Sequence, residues 1–118
     1  MSDYDVRQVV LSTDDLDASI AFYTQALGMT LKFRDGTHYA QLDGGSISLA
    51  LATPVDHPIP GKIAVGVKTA DVDAAAAAVA ANGGAIIKEA YNDAHERRAV
   101  VYDNQGNGIV FNSPLPRG

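Results

Sequence analysis

Apolar residues fall along this chain in short β-branched runs and in a stretch of helical spacing, and that combination occurs twice. Val6 to Ser12 is a β-branched, apolar run that predicts a strand. Thr13 and Asp14 follow, either able to cap a helix by accepting backbone N–H bonds, with Asp15 and Asp17 in the first turn where carboxylates suit the helix dipole. Leu16, Ile20, Tyr23 and Leu27 then recur at helical spacing, and Gly28 supplies the left-handed residue that ends a helix. Three strands are predicted after it, over Met29–Arg34, Thr37–Leu42 and Ser46–Ala52, separated by the turn residues Asp35-Gly36 and Asp43-Gly44-Gly45.

The order then repeats. Ile63–Lys68 reads as a strand, Asp71–Ala81 as a helix ended by Asn82-Gly83-Gly84, and Ala85–Ala90, Arg98–Tyr102 and Gly108–Phe111 as three more strands. The residues themselves repeat: Thr13-Asp14-Asp15-Leu16-Asp17-Ala18 returns 56 positions later as Thr69-Ala70-Asp71-Val72-Asp73-Ala74, and in the same register Val9 falls on Val65, Leu11 on Val67, Gly28 on Gly84 and Lys32 on Lys88. A repeat of this length decides architecture before any single motif does. The expectation is an α+β fold: one domain made of two βαβββ modules, residues 4–52 and 62–113. Thr53–Gly61, with Pro54, Pro58 and Pro60, links them, and Pro114–Gly118 forms a tail. The alanines from Ala74 to Ala78 favour a helix that sits close to a sheet.

Composition narrows the chemistry. Nine Lys and Arg against 14 Asp and Glu give a net charge of -5, which argues against a protein that works by neutralising nucleic-acid phosphates. There is no cysteine, so disulfides, thiolate nucleophiles and sulfur-ligated metals are excluded. The longest wholly apolar stretch, Ala74–Ala81, is far short of the roughly 20 residues of a membrane helix. Residues 1–5 lack the features of a signal peptide, so a cytoplasmic protein without nucleic-acid or membrane partners is expected.

The segment from Thr13 to Met29 resembles the first helix of the vicinal oxygen chelate superfamily, which includes glyoxalase I, bleomycin resistance proteins and extradiol dioxygenases. The family form "DLxxSxxFYxxxLGx" fits closely, and Asp103-Asn104-Gln105-Gly106-Asn107 resembles its "DPDGN" turn, with Asn104 for Pro and Gln105 for Asp. The resemblance spans residues 4–113 and implies two βαβββ modules whose curled mixed sheets surround a cleft, commonly in a homodimer. It is specific for fold and weak for activity.

Metal-dependent members carry four ligands drawn from His, Glu and Gln on the first and last strands of each module. Carried over by position, the resemblance places these at Gln8, at Leu49 or Ala50, at Ala64 and at Val110. Only Gln8 has a donor atom, and one amide oxygen does not hold a divalent cation. No metal and no other cofactor is expected there. Among the histidines, His57 falls in the linker and His95 in a polar loop. His38, placed on the third strand, is the candidate acid–base group.

What remains is a concave, largely apolar surface with a few polar groups, the usual description of a small-molecule pocket. Gln8, His38, Lys62, Arg98 and Tyr102 are the candidate ligand-binding residues. His38 and its neighbour Tyr39 point to opposite faces, so one of them enters the cleft, and Lys62 is placed on the face of Ala64 by strand alternation. One of Arg97 and Arg98 points inward, where its planar fork can grip a carboxylate or phosphate, and Tyr102 shares the face of Arg98 and Val100. The function expected is metal-independent binding of a small organic molecule, in its most concrete form sequestration of a toxic compound or antibiotic. The alternative is a lyase, isomerase or glyoxalase-like enzyme, using a metal at atypical ligands or an acid–base residue without one.

Overall fold

Leu16 has to be buried, and it sets where the first helix begins. In the computed structural model, which describes residues 4–116, the cap is Asp15 rather than Thr13 or Asp14. Its side chain accepts a hydrogen bond from the Ala18 N–H at 3.1 Å, and helix α1 spans Leu16–Ala26. Thr13 instead accepts from the Asp15 N–H at 3.0 Å, fixing the extended approach to the cap. The repeat is obeyed at this point: Asp71 caps helix α2, Val72–Ala81, by accepting from the Ala74 N–H at 2.9 Å. Each acceptor satisfies one otherwise unpaired donor of a first turn, a contribution of about 1 kcal/mol.

The helix ends break the repeat. Gly28 takes the left-handed conformation after α1, as its position predicts, at φ +68°. Since α2 has 10 residues against 11 in α1, that role passes in the second half to Gly83 at φ +98°, one position before the residue that matches Gly28. Gly84 is needed for a different reason: a Cβ there would lie 2.4 Å from Val79 Cγ1 and 2.5 Å from the Tyr102 carbonyl oxygen. Leu27, predicted on the apolar stripe, lies beyond the last helical residue and is exposed.

Eight strands accompany the two helices, giving the α+β class the pattern predicts. They are β1 (Tyr4–Ser12), β2 (Leu31–Asp35), β3 (Tyr39–Asp43), β4 (Ser48–Ala52), β5 (Ala64–Thr69), β6 (Ala85–Asn92), β7 (Glu96–Tyr102) and β8 (Gly108–Pro114). Most predicted strands move by one or two residues. β8 moves most, gaining three residues while β7 gains two, because their ladder continues from Val100↔Val110 through Arg98↔Asn112 to Glu96↔Pro114, and polar pairs at the open end of a hairpin carry no hydrophobic signal. Pro114 therefore ends a strand rather than opening a tail; Arg117 and Gly118 lie outside the described residues.

The chain divides into two compact units. One spans Gln8–Ala64; the other gathers residues 65 onward together with the start of β1, through Arg7. In the first, strand order is β2-β3-β4-β1, with β1 and β4 parallel and the other pairs antiparallel. Its helix side buries Leu16 of α1 among Ala40, Leu42 and Leu51, with Leu11, Ile20, Tyr23 and Leu49 against them. In the second, the order is β5-β8-β7-β6, and Val72, Ala75 and Ala76 of α2 pack on Val67, Ala99, Val101 and Phe111. Of the alanines Ala74–Ala78, Ala75 and Ala76 are the two buried against the sheet. Full burial of a Val or Leu in such clusters contributes roughly 1.5–3 kcal/mol.

Candidate functional site

With alternate residues of β1, β3 and β4 committed to α1, the residues between them occupy the opposite face. Val10 pairs with Ala50, Gln41 with Ala50, Tyr39 with Ala52 and Gln8 with Ser48. Val10, Ala50, Ala52 and Ala64 form a closed apolar bed there, with Tyr39 packed on it. The registers resolve the choice between Leu49 and Ala50: Ala50 shares the face of Gln8, whereas Leu49 packs beneath α1.

On this bed sits a half-buried cluster of two amides and a phenol. Gln41 Nε2 donates to Tyr39 Oη at 2.8 Å and to Gln8 Oε1 at 3.3 Å, and Tyr39 Oη donates to Gln8 Oε1 at 3.5 Å. The oxygen that the family pattern would give to a metal is thus already an acceptor for two protein donors. Phe33 borders the cluster, 47% exposed, with its ring 5.7 Å from that of Tyr39. Lys32 Nζ donates to Ser48 Oγ at 2.7 Å. Gln41 and Phe33 escaped the sequence reading. Alternation from Tyr39 was the available signal for Gln41, and the register slip between Leu31 and Phe33 hid the face of β2.

Of the adjacent pair His38 and Tyr39, Tyr39 is the one that joins Gln8. His38 lies in the turn before β3 rather than on a strand, and its Nδ1 pairs with Asp56 of the connector. The hydrogen bond to that carboxylate, reinforced by its charge, holds the imidazole pKa above the ordinary 6.5 despite some desolvation. Lys62 also departs from expectation. It sits in a bend before β5, so strand alternation does not govern it. It is exposed, and its carbonyl accepts from Ser12 Oγ at 3.0 Å. His57 is buried at 5% exposure, with Nδ1 accepting from the Ile59 N–H at 3.0 Å and Nε2–H donating to the Val10 carbonyl at 3.2 Å. Nε2 ties the connector to β1 while Nδ1 braces the connector on itself, and burial lowers the pKa below 6.5.

In the second unit the two arginines separate as alternation requires. Arg97 turns to the helix side and binds Asp73 at the start of α2. Arg98 shares the other face with Glu96, Val100 and Tyr102. Its Nη1 is 3.9 Å from Asp93 and its Nε 3.6 Å from Glu96, and the buried Nε has no hydrogen-bond partner among the described residues. Burial raises the Glu96 pKa against the opposing charge of Arg98. At Asp93 burial pushes upward too, but the His95 and Glu96 N–H groups outweigh it and hold that carboxyl low. Val110, facing this way through its pairing with Val100, is 1% exposed and has no donor atom. On the helix side of the same unit, Tyr4, Val6, Val79 and Phe111 border an apolar cavity of about 370 Å³.

The donor set at the four family positions, Gln8, Ala50, Ala64 and Val110, does not fit a divalent metal ion. Elsewhere among the described residues, one atom each of Asp35, His38 and Asp56 converge within 4.8 Å of one another.

Two βαβββ units, each with its helix packed on one face of its strands, define the vicinal oxygen chelate class. The chain belongs to the Glyoxalase/Bleomycin resistance protein/Dioxygenase superfamily, whose family model matches residues 6–111. It is 71% identical over 117 residues to an uncharacterized protein of Mycolicibacterium smegmatis, covering 99% of this chain and 100% of that one. A solved member of the superfamily from Vibrio splendidus 12B01 superposes with a TM-score of 0.72 at 16% identity, over 93% of this chain and 98% of that one. Methylmalonyl-CoA epimerase from Mycobacterium tuberculosis superposes with a TM-score of 0.63 at 21% identity, over 94% and 88% respectively. At these identities the structural likeness speaks to fold alone. No helix among the described residues is long and apolar enough to cross a membrane.

Proposed function

We propose that this protein binds a small, partly apolar organic molecule at the Gln8–Tyr39–Gln41 face without a metal there, and that it sequesters a toxic compound or antibiotic. The observation that carries the reading is the acceptance by Gln8 Oε1 of hydrogen bonds from Gln41 and Tyr39, with hydrocarbon at the other family ligand positions. Such a face can hydrogen-bond a guest but has no Lewis acid with which to polarise it. The exposed ring of Phe33 beside Tyr39 suits a flat, unsaturated ligand, since offset or tilted ring stacking adds about 0.5–1.5 kcal/mol per pair. Lys32 offers a cation at the same edge. In the second unit, Arg98 and Tyr102 are the proposed contacts for an anionic group. The proposed assembly is a homodimer.

Calorimetric titration of the protein with a panel of aromatic antibiotics, bleomycin included, tests the proposal. Saturable binding is expected, weakened about fivefold to tenfold by Gln8→Ala through loss of one hydrogen bond's worth of free energy. The compound should be recovered unchanged. Recovery of a rearranged or cleaved product would move the chain to the lyase or isomerase reading. Light scattering at micromolar concentration tests the dimer, and a species of 12.3 kDa would refute it.

A further inference from the structure

We propose that Asp35, His38 and Asp56 form a divalent-cation site, separate from the positions where the family pattern places its metal. The three donors come from three stretches of chain: the end of β2, the turn that follows it, and the connector after β4. One ligand atom from each lies within 4.8 Å of the other two. A zinc ion bound about 2.0–2.2 Å from each donor tolerates donor separations of up to about 4 Å, so small side-chain rotations close the site. One imidazole and two carboxylates form a set that takes Zn²⁺, Mn²⁺ or Co²⁺.

Charge balance favours an ion over a simple pair. His38 bonds to Asp56, and even a protonated His38 leaves one of the two carboxylates uncompensated. A divalent cation neutralises both carboxylates and accepts a neutral imidazole. The frame is built by main-chain bonds that do not involve the ligand atoms. The Thr53 N–H donates to the His38 carbonyl at 2.9 Å, and the Asp56 N–H donates to the Thr53 carbonyl at 3.0 Å. These bonds hold the connector against the turn before any ion arrives. The side chains of His38 and Asp56 are 37% and 36% exposed, so water can fill the remaining coordination positions. The ion would pin the start of the connector to the β2–β3 turn. This inference is independent of ligand binding at Gln8.

The test is titration of untagged, chelator-stripped full-length protein with Zn²⁺ and Co²⁺ by calorimetry and visible absorption. One equivalent should bind, with a cobalt d–d band and a rise in thermal midpoint. His38→Gln and Asp56→Asn should each weaken binding at least tenfold, and Asp35→Asn measurably. In the unsubstituted protein, trace Mn²⁺ should broaden the His38 imidazole resonances before those of His57 and His95. That measurement holds even if a variant fails to fold. Absence of saturable binding, binding unchanged in all three variants, or broadening centred elsewhere would each overturn the proposal. None of these outcomes touches the antibiotic titration.

Discussion

Arg97 holds Asp73 with two nitrogens, Nε and Nη2, each 2.8 Å from a different carboxylate oxygen. The pair fastens β7 to the first turn of α2, and Asn92 accepts a third bond from Arg97 Nη1 at 2.8 Å. Hydrogen bonding to the guanidinium holds the Asp73 carboxyl below the usual carboxylate range. Committing Arg97 to this side sends Arg98 to the other, the side the sequence assigned to ligand.

The pair is solvent-exposed, so its contribution is small and screened by salt. Arg97→Ala is expected to lower the thermal midpoint slightly at low ionic strength, by less at high salt, and no further when combined with Asp73→Ala. Asp73 is depressed in the fold, so the stabilisation is present above its ordinary value of 3.8 and disappears as the pH falls through the lower folded value. Thermal melts of both single variants and the double variant, at two salt concentrations, check this. A full-sized, salt-independent loss would mean that packing by the Arg97 stem dominates.

The repeat made the fold legible, because helix and strand periods recur in a fixed register and Asp15 and Asp71 both cap as equivalent residues. What escaped depends on contacts between segments far apart in sequence. His57 reads as a linker histidine, and nothing in its neighbourhood announces that the Val10 carbonyl, 47 residues away, accepts its N–H. Asp56 is hidden for the same reason: its partner, His38, lies 18 residues away across β3, a turn and β4. Of the candidate site residues, the placement of Gln8 follows from its position in the motif and the Arg97/Arg98 split from alternation. The facing of Lys62 does not follow from alternation, because the residue precedes its strand.

Removing the His57 ring should cost stability well beyond a surface change. His57→Leu leaves the Ile59 N–H and the Val10 carbonyl without their partner, and an unsatisfied buried group costs about 1–3 kcal/mol. The pH dependence gives a second signature. The unfolded imidazole takes up a proton near 6.5, whereas the buried folded one does so only at lower pH. The unfolded chain therefore binds more protons below 6.5, so stability is full above that value and falls as the pH drops toward the folded pKa. Urea midpoints from about pH 7.5 to about pH 5, with chelator present, should show a shallower slope in His57→Leu than in the parent. Equal slopes would show that the ring does not stay neutral in the fold.

Two glycines matched by the repeat should respond differently to alanine. At Gly28 a Cβ meets nothing within 4 Å, so Gly28→Ala carries only the left-handed backbone cost of about 1–2 kcal/mol. At Gly84 the added atom meets Val79 and the Tyr102 backbone at 2.4 and 2.5 Å, and the backbone oxygen cannot rotate away. Gly84→Ala should force α2 away from β7 and cost about 1–3 kcal/mol through overpacking. A Val79→Ala background should recover part of the Gly84→Ala loss and none of the Gly28→Ala loss. Denaturant unfolding of Val79→Ala, the two glycine variants and the two double variants measures the difference.

Gln41 separates binding from stability on the candidate ligand face. Its amide donates to both Tyr39 and Gln8, yet all three side chains are only half-buried, so water can replace the bonds when it is removed. Gln41→Ala should therefore change stability by no more than about 1 kcal/mol, while leaving the 3.5 Å Tyr39–Gln8 contact to hold their arrangement without its bridging donor. A ligand that depends on their fixed arrangement should then bind about fivefold to tenfold more weakly, through loss of preorganisation rather than of a direct contact. Gln41→Glu keeps the size but gives up the donor, and should weaken binding similarly while retaining the fold. Calorimetry on both variants, with thermal melts alongside, checks the split. A Gln41→Ala protein that binds as well as the parent would place the ligand away from the Gln8–Tyr39–Gln41 cluster.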